Sequence, residues 1–270
     1  MDFGGLLPGN DYKDSMNLLC RLYQDWIRNG IKLSSVALLS SLMVLAGCTA
    51  PGSGGQTKAE KTAPAPAPAA AAAPAPPTKQ AAGNPFPDTK DWVNLFDGKT
   101  LTGWTITDFA GRGEVRVTDG RIVLQSGVMT GVTWTNDIPR MNFEVELEAM
   151  RVDGSDFFCA LTFPVGTNPC SMIVGGWGGG VVGLSSLDGE DASSNETTKY
   201  MSFENGRWYK IRLKVVPNAI QAWIDGDKMV DVVTTGRRIS IRMEVQESVP
   251  FGIATWSTTG AIRNLRVRRL

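Results

Sequence analysis

The sequence contains no histidine, and only four cysteines stand among its 270 residues. Without histidine there is no Ser-His-Asp or Cys-His triad and no histidine metal ligand. The cysteines lack the Cys-x-x-Cys spacing of zinc sites, so we expect no metal centre. Any proton transfer must therefore use carboxylates, helped by lysine or tyrosine.

Charge of neither sign predominates, because 27 Lys and Arg balance 27 Asp and Glu. Nucleic acids are bound through basic surfaces, so this balance argues against a nucleic-acid partner. The apolar run at residues 36–46 is shorter than the roughly 20 residues needed to span a membrane. Windows of helical periodicity long enough for a major helix are also missing.

The apolar run at residues 36–46 follows Lys32 and ends in Leu-Ala-Gly before Cys48. A cationic start, a short apolar stretch and small residues before a cleavage point predict a signal peptide over residues 1–47. The cysteine after Leu-Ala-Gly resembles a bacterial lipobox. This resemblance implies lipidation of Cys48 and a lipid-anchored protein of the bacterial cell envelope. Thr49, in place of aspartate, favours the outer membrane.

Residues 48–89 are predicted to be a disordered tether, because their middle alternates alanine with proline. Repeated proline blocks helical hydrogen bonds and favours an extended backbone. A proline-rich interaction motif is the alternative, but alanine between the prolines offers a partner little to grip. The working domain is then expected at residues 90–270.

Within residues 90–270, short β-branched and aromatic runs alternate with Asx-Gly turns. Asn and Asp tolerate left-handed backbone and Gly adopts it freely, so these pairs indicate tight hairpins. Many short strands predict an all-β fold, a two-sheet antiparallel jelly-roll sandwich, with a closed barrel as the alternative. Cys159 and Cys170 fall on two consecutive segments of a predicted hairpin. Their register decides whether they form a disulfide, so both states stay open.

Three glutamates, Glu144, Glu146 and Glu148, are the candidate catalytic carboxylates. Alternate residues of a strand point to one side, which places these carboxylates at steps of about 6.5–7 Å. Crowded like charges favour protonation of one of them, as a general acid requires. The alternative is an exposed strand face whose glutamates pair with basic side chains among residues 210–214.

Trp177 stands among glycines in the most unusual local composition of the chain. No helix follows to present its N-terminus to a phosphate, so this segment is not a dinucleotide loop and no cofactor is expected. Flanking glycines let backbone approach a ligand while the indole offers a flat face for a sugar ring. A glycine-rich bulge packed against a bulky neighbour is the alternative. Arg151 and Asp156 are further candidates for substrate binding, and pairing of Arg151 with Asp153 or Asp156 is the alternative.

Several segments resemble, in order, the bacterial 3-keto-disaccharide hydrolase domain, also called 3-keto-glucoside lyase or 3-keto-2-hydroxy-glucal hydratase. The most specific is the opening Asn94-Leu-Phe-Asp-Gly-Lys-Thr-Leu-Thr-Gly-Trp, and the others include Asn142-Phe-Glu-Val-Glu-Leu-Glu and Ala222-Trp-Ile-Asp-Gly. The resemblance covers residues 91–270 and implies a concanavalin A-like sandwich with a saccharide ligand. Asp156 stands where the family commonly has an Asn-Ser-Gly element, so its catalytic residues are not carried over.

The resemblance implies hydrolase or lyase activity on 3-keto-glycosides. A 3-keto group acidifies the C2 proton, so Glu146 is expected to start β-elimination while Glu148 protonates the departing oxygen. A noncatalytic carbohydrate-binding or cell-surface recognition module is the alternative function. Saccharide binding without formation of any product would distinguish this module from an enzyme.

Overall fold

The computed structural model describes residues 84–270, so the predicted signal peptide, the lipidation site at Cys48 and most of the predicted tether lie outside the described residues. Within this range the chain forms fifteen strands and one short 3-10 helix, η1 (Met243–Ser248). No helix in this range is long and apolar enough to cross a membrane. The strands are β1 (Val93–Asn94), β2 (Trp104–Ile106), β3 (Val115–Thr118), β4 (Arg121–Leu124), β5 (Met129–Trp134), β6 (Phe143–Asp153), β7 (Cys159–Val165), β8 (Asn168–Gly176), β9 (Val181–Ser185), β10 (Lys199–Tyr200), β11 (Trp208–Val216), β12 (Ala219–Ile224), β13 (Asp227–Val233), β14 (Gly252–Trp256) and β15 (Thr259–Arg269).

These strands form two antiparallel sheets. The order in sheet A is β13-β12-β11-β6-β15-β4-β3, with β1 also paired to β15. The order in sheet B is β10-β9-β8-β7-β14-β5-β2. Each sheet ends in open edge strands, so the jelly-roll sandwich is confirmed and the closed barrel is wrong.

The core lies between the sheets and follows the alternation of each strand. On β6, Phe143, Val145 and Leu147 are buried in it, and on β7, Leu161 and Phe163 meet them from the other sheet. The burial of each such side chain stabilises the folded state by roughly 1.5–3 kcal/mol. Period-two patterning thus sets which face of each strand is inside.

The folded body begins before the predicted boundary at residue 90. Phe86 is 6% exposed within the core cluster, and the guanidinium of Arg269 lies over its ring. The backbone amide of Asn84 donates to the side chain of Asn136. The last residues of the predicted tether therefore belong to the body, because one aromatic anchor outweighs the flanking prolines.

The predicted hairpin of the two cysteines is present as β7 and β8, but the thiols are free. Cys159 is paired with Val174, whereas Cys170 is paired with Phe163. Four positions along a strand separate the two, about 13 Å at 3.3 Å per residue. A disulfide requires Cα atoms within about 7 Å, so register excludes the bridge.

Candidate functional site

A pocket of about 240 Å³ lies on the outer face of sheet B, the face turned away from sheet A. This volume is slightly below the roughly 300–1,000 Å³ of typical small-molecule sites and suits one sugar ring. Charged and aromatic side chains line the pocket together with the buried Ser171 and Ser185. The surrounding residues are Asp156, Phe157, Trp177, Arg242, Glu244 and Trp256.

Small residues on three strands of sheet B leave space beside the pocket for the helix η1. Gly131 on β5, Ala160 on β7 and Ala254 on β14 lie on the outer face of sheet B. A Cβ added at Gly131 would stand 2.7 Å from the backbone oxygen of Ile253. The helix η1 packs over β5 and β14, with Val245 in the apolar cluster, and a Cβ added at Gly252 on β14 would stand 2.9 Å from the backbone oxygen of Ser248 in η1. This packing brings the residues at the start of η1 to the pocket.

The turn after β8 presents Trp177, which is 45% exposed and lines the pocket. Trp177 has a φ of 49°, and Gly178 and Gly179 continue with φ of 86° and 110°. Such consecutive left-handed backbone is readily adopted only by glycine. The glycines therefore turn the chain beneath an exposed indole.

The strand register shifts between Val174 and Gly176, and a Cβ added at Gly175 would stand 3.0 Å from the Phe158 ring, so the glycine-rich bulge of the alternative interpretation is present. Contact of Trp177 with a ligand stays a prediction.

Asp156 fixes this turn from the β6–β7 connection. Its Oδ2 accepts a hydrogen bond from the amide of Gly178 at 3.2 Å, and its Oδ1 accepts from the amide of Phe157 at 2.7 Å. Asp156 and Trp177, both predicted to bind substrate, thus lie together at the pocket.

Arg151 is placed behind the same turn rather than in the lining of the pocket. It is 7% exposed and donates to Asn205 Oδ1 at 2.7 Å, to the carbonyl of Gly179 at 3.3 Å and to the carbonyl of Phe203. Its guanidinium also lies 5.8 Å from the ring centroid of Phe158. Arg151 therefore positions the Trp177 turn, and direct contact with a ligand stays a prediction.

Arg242 and Glu244 complete the charged side of the pocket, and sequence reasoning missed both. Arg242 Nη2 donates to Glu244 Oε1 at 2.7 Å, and its Nη1 forms an ion pair with Asp191. Asp191 in turn accepts from the hydroxyl of Ser185 at 3.1 Å. The hydrogen bond from Arg242 lowers the pKa of Glu244, and Glu244 raises the pKa of Arg242. The guanidinium is thus held by two carboxylates at the mouth of the pocket.

The predicted catalytic glutamates lie on the other sheet, on the outer face of sheet A. Glu144 is bound by Arg268, Glu146 by Arg266 at 2.6 Å and Glu148 by Arg263 at 2.7 Å, each from the adjacent strand β15. Lys210 also approaches Glu146 at 3.8 Å, as the alternative interpretation of this face expects.

Glu146 and Glu148 line a second pocket of about 240 Å³, together with Lys210, Asn264 and Arg266. Burial disfavours the charged form of Glu148, but hydrogen bonds from Arg263 and Asn264 outweigh it and lower its pKa. A general acid needs the opposite shift. The catalytic role of Glu144, Glu146 and Glu148 therefore stays a prediction that their ion pairs do not favour.

A family model described as the 3-keto-alpha-glucoside-1,2-lyase-like domain matches residues 91–268. No curated protein matches the chain. The solved carbohydrate-binding module CBM66 from Bacillus subtilis is 15% identical with a TM-score of 0.44, over 62% of this chain and 95% of that one. A putative glycosyl hydrolase from Parabacteroides distasonis is 14% identical with a TM-score of 0.43, over 66% of this chain and 94% of the other. The Crh5 transglycosylase in complex with NAG is 10% identical with a TM-score of 0.47, over 66% and 83% of the respective chains.

Proposed function

Because the chain belongs to the family of 3-keto-alpha-glucoside-1,2-lyase-like domains, we propose that the pocket beside Trp177 cleaves 3-keto-α-glucosides by elimination. The observation that carries this proposal is the pocket's composition. An exposed indole, a carboxylate and a guanidinium surround a space that fits one sugar ring: Trp177, Asp156 and Arg242. These are a stacking face, a base and a cation for a developing oxyanion.

Asp156 is the proposed base. It forms no ion pair with the other residues that the structure describes, whereas both oxygens of Glu244 accept from Arg242. A carboxylate bound by a guanidinium is a weaker base, because the cation favours its ionised form. Asp156 also stands next to the Trp177 turn, against which the sugar ring is proposed to stack.

The proposed reaction begins with transfer of the C2 proton to Asp156. The electrons of the C–H bond form an enediolate, whose negative charge on the C3 oxygen is stabilised by Arg242. Collapse of the enediolate forms the C1–C2 double bond and breaks the bond from C1 to the departing oxygen. The proton held by Asp156 is returned to that oxygen, and water then adds to the double bond to complete hydrolysis.

Steady-state kinetics with 3-keto-trehalose tests this assignment. Asp156→Asn removes the base and also one of the two backbone hydrogen bonds that the carboxylate accepts, so we expect kcat/KM to fall by about 10²–10⁴-fold. Arg242→Gln should lower kcat by about 10²–10³-fold, because one preorganised charge at the oxyanion is lost. Trp177→Ala should chiefly raise KM, since stacking holds substrate and transition state alike.

Glu148→Gln tests the competing assignment to the glutamates of sheet A. Loss of turnover in this variant, with full activity in Asp156→Asn, would move the chemistry to the second pocket and reject the proposal. Saccharide binding without any product would support the noncatalytic recognition module instead. Wild-type protein that does not convert 3-keto-glucosides would reject the reaction, and a wild-type protein that also binds no glycan of an array would reject the recognition module.

We also propose that the protein is lipid-anchored at the cell envelope through Cys48. The apolar run, the preceding lysine and Leu-Ala-Gly before the cysteine support this proposal. Incorporation of radiolabelled palmitate into the wild-type chain but not into Cys48→Ala is the expected result. Equal labelling of both chains would refute the anchor.

A further inference from the structure

Tyr200 is the most exposed large apolar side chain of the described residues, at 77%. It stands on the two-residue edge strand β10, where it pairs with Val181 of β9. Directly paired residues of antiparallel strands point to the same face. Val181 belongs to the apolar cluster on the outer face of sheet B, so Tyr200 extends from the face that carries the pocket.

The neighbour of Tyr200 confirms this orientation independently. Lys199 pairs with Val182, which lies in the core between the sheets. The Nζ of Lys199 donates to the backbone oxygen of Lys228 on β13, at 2.6 Å, and thus reaches sheet A. Because successive side chains of a strand alternate, Tyr200 must face the opposite way.

Tyr200 and the Trp177 turn belong to one continuous surface. Val181 pairs with Gly176 on one side and with Tyr200 on the other, so Tyr200 lies two strand spacings, about 10 Å, from the start of the turn. The amide of Met201 donates to the carbonyl of Gly180 at 2.9 Å, which joins β10 to the turn directly.

Nothing bulky separates the two aromatic side chains along the backbone. Residues 178–180 are all glycine, and a Cβ added at Gly178 would meet no atom within 4 Å. Within residues 84–270, the Tyr200 ring has no aromatic or cationic partner. The Tyr200 ring is thus open to a ligand on the face of sheet B that carries the pocket.

We propose that Tyr200 is a second stacking position, which binds the sugar unit on the leaving side of the bond cleaved in the pocket. This inference rests on the proposed function and adds to it the residue that binds the departing sugar. Aromatic faces bind the C–H groups of sugar rings, so the contribution depends on the ring and not on the phenolic hydroxyl.

The experiment compares two substrates with one variant. Affinity is measured by titration calorimetry and turnover by steady-state kinetics, for methyl 3-keto-α-glucoside and for 3-keto-maltose. We expect Tyr200→Ala to weaken binding of the disaccharide by about 5-fold to 10-fold and to leave the methyl glucoside unchanged. Tyr200→Phe should bind the disaccharide as tightly as wild type, because the ring is retained.

Val233→Ala is the matched control, since Val233 is 65% exposed on the edge strand of the other sheet. It should change neither substrate. Equal effects of Tyr200→Ala on both substrates, or none on either, would overturn the second stacking position while turnover preserved the proposed function. A disaccharide-specific loss of binding without any turnover would support the stacking position and reject the reaction. A wild-type chain that binds neither substrate would overturn both.

Discussion

The thiols of Cys159 and Cys170 are fully buried, and burial raises the pKa of each to about 12. The thiolate is the form that reacts with alkylating agents. We therefore expect neither thiol to be modified by iodoacetamide at pH 8 in the native protein, and both to be modified in denaturant. Mass spectrometry of peptides distinguishes these positions from Cys20 and Cys48.

The unfolded chain is the positive control for this labelling, because it exposes both thiols. Modification of Cys159 or Cys170 in the native protein at the rate seen in denaturant would contradict their burial. The modified fraction of each peptide decides between these outcomes.

Two residues of the pocket could be identified from the sequence, and two others could not. Trp177 could be chosen because glycines on both sides of one large aromatic residue are unusual, and Asp156 because it is an acid close by. Arg242 and Glu244 lie in a stretch without periodicity, and the packing of η1 over small residues of sheet B brings them to the pocket. Their only local signal was an opposite-charge pair two positions apart.

At the scale of elements, β6 and β15 are joined by a row of ion pairs that differ in burial. The side chain of Glu144 is 5% exposed, whereas that of Glu148 is 27% exposed. Arg268→Ala leaves the buried Glu144 with only the more distant Arg212, at 4.0 Å, so we expect it to cost about 2–3 kcal/mol of unfolding free energy. Arg263→Ala should cost under about 1 kcal/mol, because its partner keeps contact with water. Urea denaturation of the two variants measures both values.

Each arginine also lies over an indole, so the two variants lose a comparable cation–π contact: Arg268 over Trp92 and Arg263 over Trp208. The difference between the two losses of unfolding free energy then reports the effect of burying the glutamate. Equal losses of stability, or a larger loss for Arg263→Ala, would show that burial of Glu144 does not decide the energy.

The sequence predicts which side chains of a strand share a face, but it predicts only some of the pairings between strands. Alternation placed the glutamates of β6 on one face, and the basic residues expected opposite them are indeed on the adjacent β11. Their closer partners on β15 are more than 100 residues away in the chain, as Arg266 and Glu146 show with a separation of 120. Which distant strand lies beside another depends on the whole topology, and local patterning carries no such information.

At the scale of the whole molecule, stability should fall on both sides of neutral pH. Hydrogen bonds from Arg237, Arg238 and Arg242 lower the pKa of Asp188, Glu196 and Glu244. A carboxylate with a lower pKa in the folded state stabilises it above the unfolded pKa, and this contribution is lost as pH falls through the folded value. The thermal midpoint should therefore decrease below about pH 4.

The two buried thiols produce the alkaline side of the same profile. Their pKa is raised from 9.0 to about 12, so their contribution is complete below pH 9.0 and lost as pH rises towards 12. Calorimetry from pH 2.5 to 10.5 gives the midpoint at each pH. A Cys159→Ala, Cys170→Ala double variant should lose part of the alkaline decrease and keep the acid one. A midpoint that stays constant between pH 3 and 7 would be inconsistent with the lowered carboxyl pKa values.

The pairing of β1 with β15 sets Val93 beside Val267, and Pro87 accepts a hydrogen bond from Arg269. The chain therefore enters and leaves the sandwich at one spot. A domain whose two chain ends lie close together can be inserted into a surface loop of another protein. Its sequence can also be circularly permuted without disruption of the core. The sandwich is in this sense a domain that can be inserted into different host proteins as one unit.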